Sequence, residues 1–403
     1  MTSARPAAPG GGDPVGAAPV RDRTTWILYA SLAIYGYVLY GLGPALDALR
    51  GELDVSRGAI GLAGSAFALG AVLTALGAPP VLARVGHGTI LRAGLLGLGA
   101  GTVMLVVAGP LATVIGAAFV MGIAGTSALV VVPLVVEARQ PEARAAALSE
   151  ANVGAAAAGV LAPVAVGAAI LLGAGWPAGA LLVLAAIAAV ILVGRAGDFD
   201  GPPAPDTRPE AAGRLPRGFW RWWSVIVLVV GVEFCIAFWA TDFLREEAGV
   251  GRGAASAALG LFVGGMATGR FVGGRLAVAR DPRRLLIGAL ALTAAGFALF
   301  WSTGTAVASL AGLAVTGLGV AMLFPLSLSF AMASAPGLSE KASARASLAG
   351  GVAVLVAPYA LATLADLIGV RPGFLIVPAL LAAALTLTLR GGAEAMARRA
   401  SSR

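Results

Sequence analysis

Residues 197–219 read GDFDGPPAPDTRPEAAGRLPRGF, and they decide how the rest of the chain divides. This is the one long polar segment in the interior of a 403-residue chain that is otherwise a succession of apolar runs. Taken as a linker over 196–219, it leaves six runs on each side. Those before it fall at 25–46, 57–78, 90–109, 112–136, 147–170 and 177–194. Those after it fall at 222–243, 254–275, 284–302, 307–334, 344–369 and 373–389. Each is close to the roughly 20 residues that cross about 30 Å of hydrocarbon. Backbone in lipid must satisfy its own hydrogen bonds, and no alternating β pattern is present, so these runs are expected to be helices. Composition agrees. The chain is 59% hydrophobic and 12% charged, where soluble domains average about 25% charged, and its mean hydropathy is +0.90. The expectation is an all-α polytopic membrane protein with twelve transmembrane helices in two pseudo-symmetric six-helix halves, 24–195 and 220–390. A disordered tail over 1–23, rich in Pro, Gly and Ala, precedes them, and a short tail over 391–403 follows.

The arginines orient this bundle. Of 28 Lys and Arg residues, 22 lie in the two tails or in the even-numbered gaps between runs. Arg84 and Arg92 follow the second run, Arg139 and Arg144 the fourth, and Arg275, Arg280, Arg283 and Arg284 the eighth. The odd-numbered gaps hold only Arg50, Arg57, Arg245, Arg252 and Arg371. Arg270 alone sits inside a run. Cytoplasmic loops retain Lys and Arg, so both termini are expected on the cytoplasmic side of a bacterial inner membrane.

Several function classes fall away. The net charge of +8 is assigned to topology and contact with anionic lipid, not to nucleic acid. Cys235 is the only cysteine, so no intrachain disulfide forms, and His87 is the only histidine, so no histidine-based metal cluster exists. No G-x-x-x-x-G-K-[ST] sequence supports ATP-driven pumping, no nucleophile–base set points to an enzyme, and no cofactor is expected. The 57 glycines are read as small residues that let membrane helices approach closely.

The halves resemble each other. Leu82-Ala83 with Gly94 matches Leu276-Ala277 with Gly288 at an offset of 194, and Pro133 matches Pro325 at 192. Ala143-Arg144-Ala145 and Ala344-Arg345-Ala346 open the fifth and eleventh runs, which carry Ala162-Pro163 and Ala357-Pro358. Parallel six-helix halves with a site near the midplane are the plan of major facilitator transporters, and the chain resembles that superfamily throughout its length after the tail. The family's loop after span two looks like G-x-L-a-D-R-x-G-R-R. Here Arg84 and Gly86 match and Ala83 replaces the aspartate, while Gly273-Gly274-Arg275-Leu276-Ala277 with Arg283 and Arg284 fits better. The resemblance implies that Arg84, Gly86, Gly273 and Arg275 belong to loops that help lock the cytoplasmic side. Span five, with Gly159, Pro163 and Gly167, partly resembles the proton-driven drug exporters. It departs from them at Ala162, and no arginine precedes Gly122 and Gly125 in span four. Gly231-x-Glu233 with Trp239, and Gly269-Arg270 with Gly273, look more like the fucose–proton symporter branch.

Six residues are candidates for substrate or proton translocation. Glu233 lies mid-way along span seven, where an ionised carboxylate is expensive and has to find a partner, face the interior or be protonated. It could couple proton movement to transport, or pin helix packing as a structural acid. Arg270, inside span eight, could grip a carboxylate or phosphate with two hydrogen bonds, or form a structural ion pair near the cytoplasmic end. Tyr37 and Tyr40 share a face of span one with Tyr29 and could contact a substrate or simply pack. Trp239 is six residues from Glu233, about 240° around the helix, so one straight helix cannot point both into one cavity. Asn152 is a weaker polar candidate. Asp242 is expected to be a solvated boundary residue, Asp366 to cap a loop, and Glu137 and Glu150 to pair with Arg139 or Arg144. The chain is thus expected to be a monomeric secondary transporter of a small molecule, working by alternating access and driven by an ion gradient such as protons. A proton-driven drug or metabolite efflux antiporter is the alternative, and a non-transporting receptor or scaffold of the same fold the rival from another class.

Overall fold

Residues 18–194, 213–302 and 304–401 are described by a computed structural model, with side chains described throughout except at 79, 80, 83, 339, 340 and 391–401. Most of the expected N-terminal tail (1–17), the core of the linker (195–212) and the side chain of Ala83 therefore lie outside the described residues.

The chain forms α1 (Arg23–Leu53), α2 (Arg57–Val85), α3 (His87–Val106), α4 (Leu111–Arg139), α5 (Arg144–Leu171) and α6 (Gly175–Val193) before the linker. After it come α7 (Arg217–Glu247), α8 (Arg252–Ala279), α9 (Pro282–Ser302), α10 (Ala306–Val320), α11 (Leu323–Ala333), α12 (Ser339–Ile368), α13 (Val370–Gly373) and α14 (Ile376–Ser401). Among the described residues, twelve segments are long and apolar enough to cross a membrane, with α10 and α11 together making the tenth. The face at which α1 begins is here called the near face and the opposite one the far face.

Local chemistry sets the helix ends. Asp22 accepts from the Thr25 amide at 2.8 Å and caps α1, and the Ser56 hydroxyl caps α2 through the Ala59 amide. Gly86 turns α2 into α3 at φ 82°, a left-handed backbone suited to glycine. Residues 18–22, read as part of the tail, are tied to the first half. The Val20 backbone and the Gln140 amide exchange two hydrogen bonds, Arg21 pairs with Glu150 and Arg139 with Asp22. Burial pulls the Asp22 carboxyl up, but the Thr25 bonds and the Arg139 cation outweigh it and hold the carboxyl below its ordinary range.

The repeat resolves to a single register of 195 residues across the first four helices of each half. The Gly122 Cα faces the Phe67 carbonyl, and Gly317 faces that of Phe262. Gly70 packs on Phe119 and Ile123, and Gly265 on Ala314 and Leu318. A Cβ at any of these glycines would overlap backbone, so the repeat is built on helix pairs in direct main-chain contact. Gly265, Gly269 and Gly273, spaced by four, make one such ridge of α8 against α10 and Met322. Pro133 and Pro325 fall three residues out of this register, and only the second half interrupts its fourth span, between Val320 and Leu323.

These contacts separate two kinds of glycine. Replacing Gly317 by leucine is expected to cost about 1–3 kcal/mol through forced helix separation and to lower the melting temperature in detergent. Gly274→Ala, with nothing within 4 Å of the added carbon, should leave it unchanged.

Candidate functional site

The halves meet along two seams, α2 with α12 and α5 with α8, and α1 touches α7 between them. On the first seam contacts run from Gly58 with Asp366 through Gly61 with Ala362 to Gly351 with Val72. On the second they run from Gly253 with Leu171 to Gly159 with Val263. Both stop near the midplane. Nearer the near face, a Cβ at Gly154, Gly274 or Gly350 would meet nothing within 4 Å. The hydrogen bonds and ion pairs between the halves, among the described residues, likewise run only from midplane to far face. Among the described residues, the halves are thus joined from midplane to far face, with no such contact toward the near face.

Glu233 sits where the seams stop. It is 8% exposed, about 24 Å along α7 from Arg217 at 1.5 Å per residue. The Tyr40 hydroxyl of α1 donates to its Oε1 at 3.0 Å, so this bond crosses between the halves. Gly159 gives room for the Tyr40 ring. Arg270 lies about 14 Å from the near end of α8 and is exposed, yet its charge acts on both Glu233 and Tyr40. It is seven residues, two turns, from Val263 and shares its face. Above Arg270, that face packs on α5 at Gly159; Arg270 itself is exposed. The structure thus brings together three of the six candidates: Glu233, Tyr40 and Arg270.

The other three stand elsewhere. Tyr37 is buried and donates to the Gly179 carbonyl of α6 at 2.5 Å, an anchor within the first half. Trp239 is buried and donates to the Pro358 carbonyl of α12 at 2.9 Å, with its ring over Gly61. It points away from Glu233, as the 240° separation requires. Asn152 is exposed and returns its amide to the Leu148 carbonyl one turn back. Of the near-face loop residues, Arg84 is exposed, Gly86 forms the α2–α3 turn, Gly273 packs on Met322 and Arg275 stacks on Phe271 of its own helix at 3.9 Å. None of them bonds across the halves among the described residues. Two lateral clefts of about 650 and 620 Å³ occupy corresponding places beside α2–α4 and α8–α10, and neither is lined by Tyr40, Glu233 or Arg270.

The far face holds what the sequence reading missed. Asp47-x-x-Arg50 at the end of α1 recurs 195 residues later as Asp242-x-x-Arg245 at the end of α7. The two motifs exchange partners. Arg50 donates to Asp242 at 2.5 Å, and Arg245 donates to Asp47 at 2.7 Å. This is the reciprocal contact that two-fold symmetry generates, here inside one chain. Both aspartate side chains are 1% exposed, so Asp242 is no solvated boundary residue. Arg57 adds a bond to Asp242 at 2.7 Å and pairs with Glu246. Asp366 accepts the Arg57 and Gly58 backbone amides at 2.9 and 2.6 Å, capping α2 from the other half. A second matched pair lies within the halves: Trp176 donates to Glu52, and Arg371, 195 residues on, to Glu247. The D-x-x-R repeat was visible in the sequence, but Arg50 and Arg245 were counted there only as exceptions to the charge pattern.

Removing one partner from a buried ion network leaves an uncompensated charge and costs about 3–5 kcal/mol. Asp242→Asn should therefore loosen the far face. In a Cys235→Ala background, a cysteine at Ser65, which bonds Leu355 across the seam, should react several-fold faster with a membrane-impermeant maleimide from the far side. An unchanged rate would mean that this network does not hold the far face shut.

The comparisons with known proteins follow this geometry. No curated protein gives a significant sequence match. A bacterial homologue of the human lysosomal transporter Spinster, in an inward-facing and occupied conformation, superposes with a TM-score of 0.77 at 14% identity over 93% of this chain and 98% of that one. The nucleoside transporter NupG gives 0.74 at 12% identity over 92% and 98%, and the peptide transporter POT in complex with sulfate 0.73 at 15% over 94% and 96%. At these identities the likeness is one of fold. The family model described as Major Facilitator Superfamily matches residues 28–358 and 222–401. With twelve spans, two halves in one repeat register and that match over most of its length, the chain is a multi-pass membrane transporter belonging to the Major Facilitator Superfamily.

Proposed function

We propose that this transporter moves a small molecule by alternating access between its halves, with Glu233 as the group that couples the movement to protons. One observation carries the reading: the Tyr40–Glu233 bond joins the halves at the level where the seams end. Below it the cleft is parted; above it the far-face network closes the path. A carboxylate at this depth has few ways to be stabilised in lipid, and here it has one donor from the opposite half and one cation in the cleft. Its protonation removes a charge from the junction that must break and re-form as the halves rock. The arginine distribution makes the near face cytoplasmic, so the conformation described is open inward, in a monomer in a bacterial inner membrane with both termini inside.

The direction of net transport follows from whether proton and substrate bind together or in turn. The drug-antiporter reading is disfavoured by Ala162 in place of a glycine before Pro163 and by the lack of an arginine ahead of Gly122. Symport is the favoured form. By their names, NupG is a nucleoside transporter and POT a peptide transporter, so fold alone selects no substrate.

Reconstitution into proteoliposomes with an imposed pH gradient and a solute panel tests this. Wild-type protein should accumulate a solute against its gradient. Glu233→Gln should abolish gradient-driven accumulation, and Tyr40→Phe should slow it. Binding of solutes without flux would favour a receptor. A C-terminal reporter should be active only inside the cell, and activity outside would overturn the orientation.

A further inference from the structure

We infer that the substrate is a small organic monoanion whose carboxylate is taken by Arg270, in competition with Glu233, so that anion and proton are carried together without net charge. This rests on the transporter reading above and names its substrate class.

Arg270 lacks what the other interior arginines have. At the far ends of the helices, Arg50, Arg57, Arg245 and Arg371 each hold a carboxylate. Arg270 lies well inside its span, is exposed and makes no hydrogen bond or ion pair among the described residues. An intramembrane cation left in that state marks a site whose partner arrives from outside. A guanidinium presents a planar fork that fits a carboxylate with two parallel hydrogen bonds. Above it, Gly159 and Val263 close the seam with small and apolar surface, and the Tyr40 hydroxyl is committed to Glu233. Arg270 offers one cation, which matches a molecule with one anionic end.

Glu233 makes the site conditional. The charged or titratable groups acting on it are Tyr40 from α1 and Arg270 from α8. From α12 and α14, Ala357 and Leu380 approach α7 nearby at Gly231. Ionised Glu233 supplies the Arg270 cation with a counter-charge and repels a second anion. Once protonated, it does neither, and Arg270 is free for the substrate. Proton and anion therefore bind cooperatively, and the coupling is reciprocal. The proton enters on a Glu233 carboxyl oxygen and leaves from the same oxygen after the halves have rocked; the carried charges, one positive and one negative, cancel.

The test uses the full chain, with radiolabelled acetate, lactate and benzoate against acetamide, lactamide and benzamide. In detergent, wild-type protein should bind at least one of the acids and none of the amides. The Kd should rise about tenfold per pH unit once Glu233 is ionised, as one linked proton requires. Glu233→Gln should bind with an affinity that no longer changes with pH. Arg270→Ala should weaken binding by about 30-fold or more, and Arg270→Lys should recover part of it. Unchanged melting curves would separate these effects from misfolding. In proteoliposomes, acid uptake should be driven by a pH gradient and be indifferent to membrane potential. Binding of amides as well as acids, no binding of any acid, or full binding by Arg270→Ala would each overturn the inference. Flux of a neutral solute that survives Arg270→Ala would do so while leaving the transporter reading intact. Absence of flux for every solute, with anion binding kept, would overturn the transporter reading instead.

Discussion

The exchange of aspartate and arginine between the far ends of α1 and α7 is the interaction on which the rest of this conformation depends. Two buried carboxylates would be prohibitive alone. Each is offset by an arginine from the opposite half, because one short motif is present twice and the halves face each other about a pseudo-two-fold axis. The charges are satisfied only when the far ends meet. Closure there brings α2 against α12 and α5 against α8 down to the midplane, with each half meeting the other as a rigid unit.

That rigidity comes from glycine. Gly70 and Gly122 in the first half, and Gly265 and Gly317 in the second, place helices in main-chain contact. Such helix pairs move as units, so opening and closing concentrates at the seams between halves. The seams differ. At the far end of α2 with α12, a carboxylate from Asp366 holds two backbone amides. At the equivalent place on α5 with α8, Leu171 meets Gly253 and the contact is apolar and close. One seam is bonded and the other is smooth.

The number of spans, their helical nature and the two-half plan were legible in the sequence because they follow from length, hydropathy and one polar linker. The depth of Glu233 was legible too, since position along a span is arithmetic. What could not be read was which face each side chain would find. Tyr37 and Tyr40 are three residues apart on one helix, yet one anchors on α6 and the other crosses to α7. That choice is made by neighbouring helices whose placement no local pattern encodes. Asp242 was misjudged for a related reason. A charge near a span end is usually wet, and only the opposite half, arriving with Arg50 and Arg57, makes it dry. The repeat could have revealed this, because matching motifs on symmetry-related helices are placed to meet.

The cap that Asp366 places on α2 has a consequence for the energetics of opening. Its bonds go to main-chain amides in the first turn of a helix, at the rim of the molecule. When the far side opens, water can take over those amides and that carboxylate at once. The helix does not unravel, since its own Ser56 cap remains in place. At this seam the outermost closure is thus made of bonds that solvent can substitute, and it can be undone without melting any structure. An apolar contact of equal strength at that rim would have exposed greasy surface to water at each cycle; the Asp366 cap exchanges one set of polar partners for another.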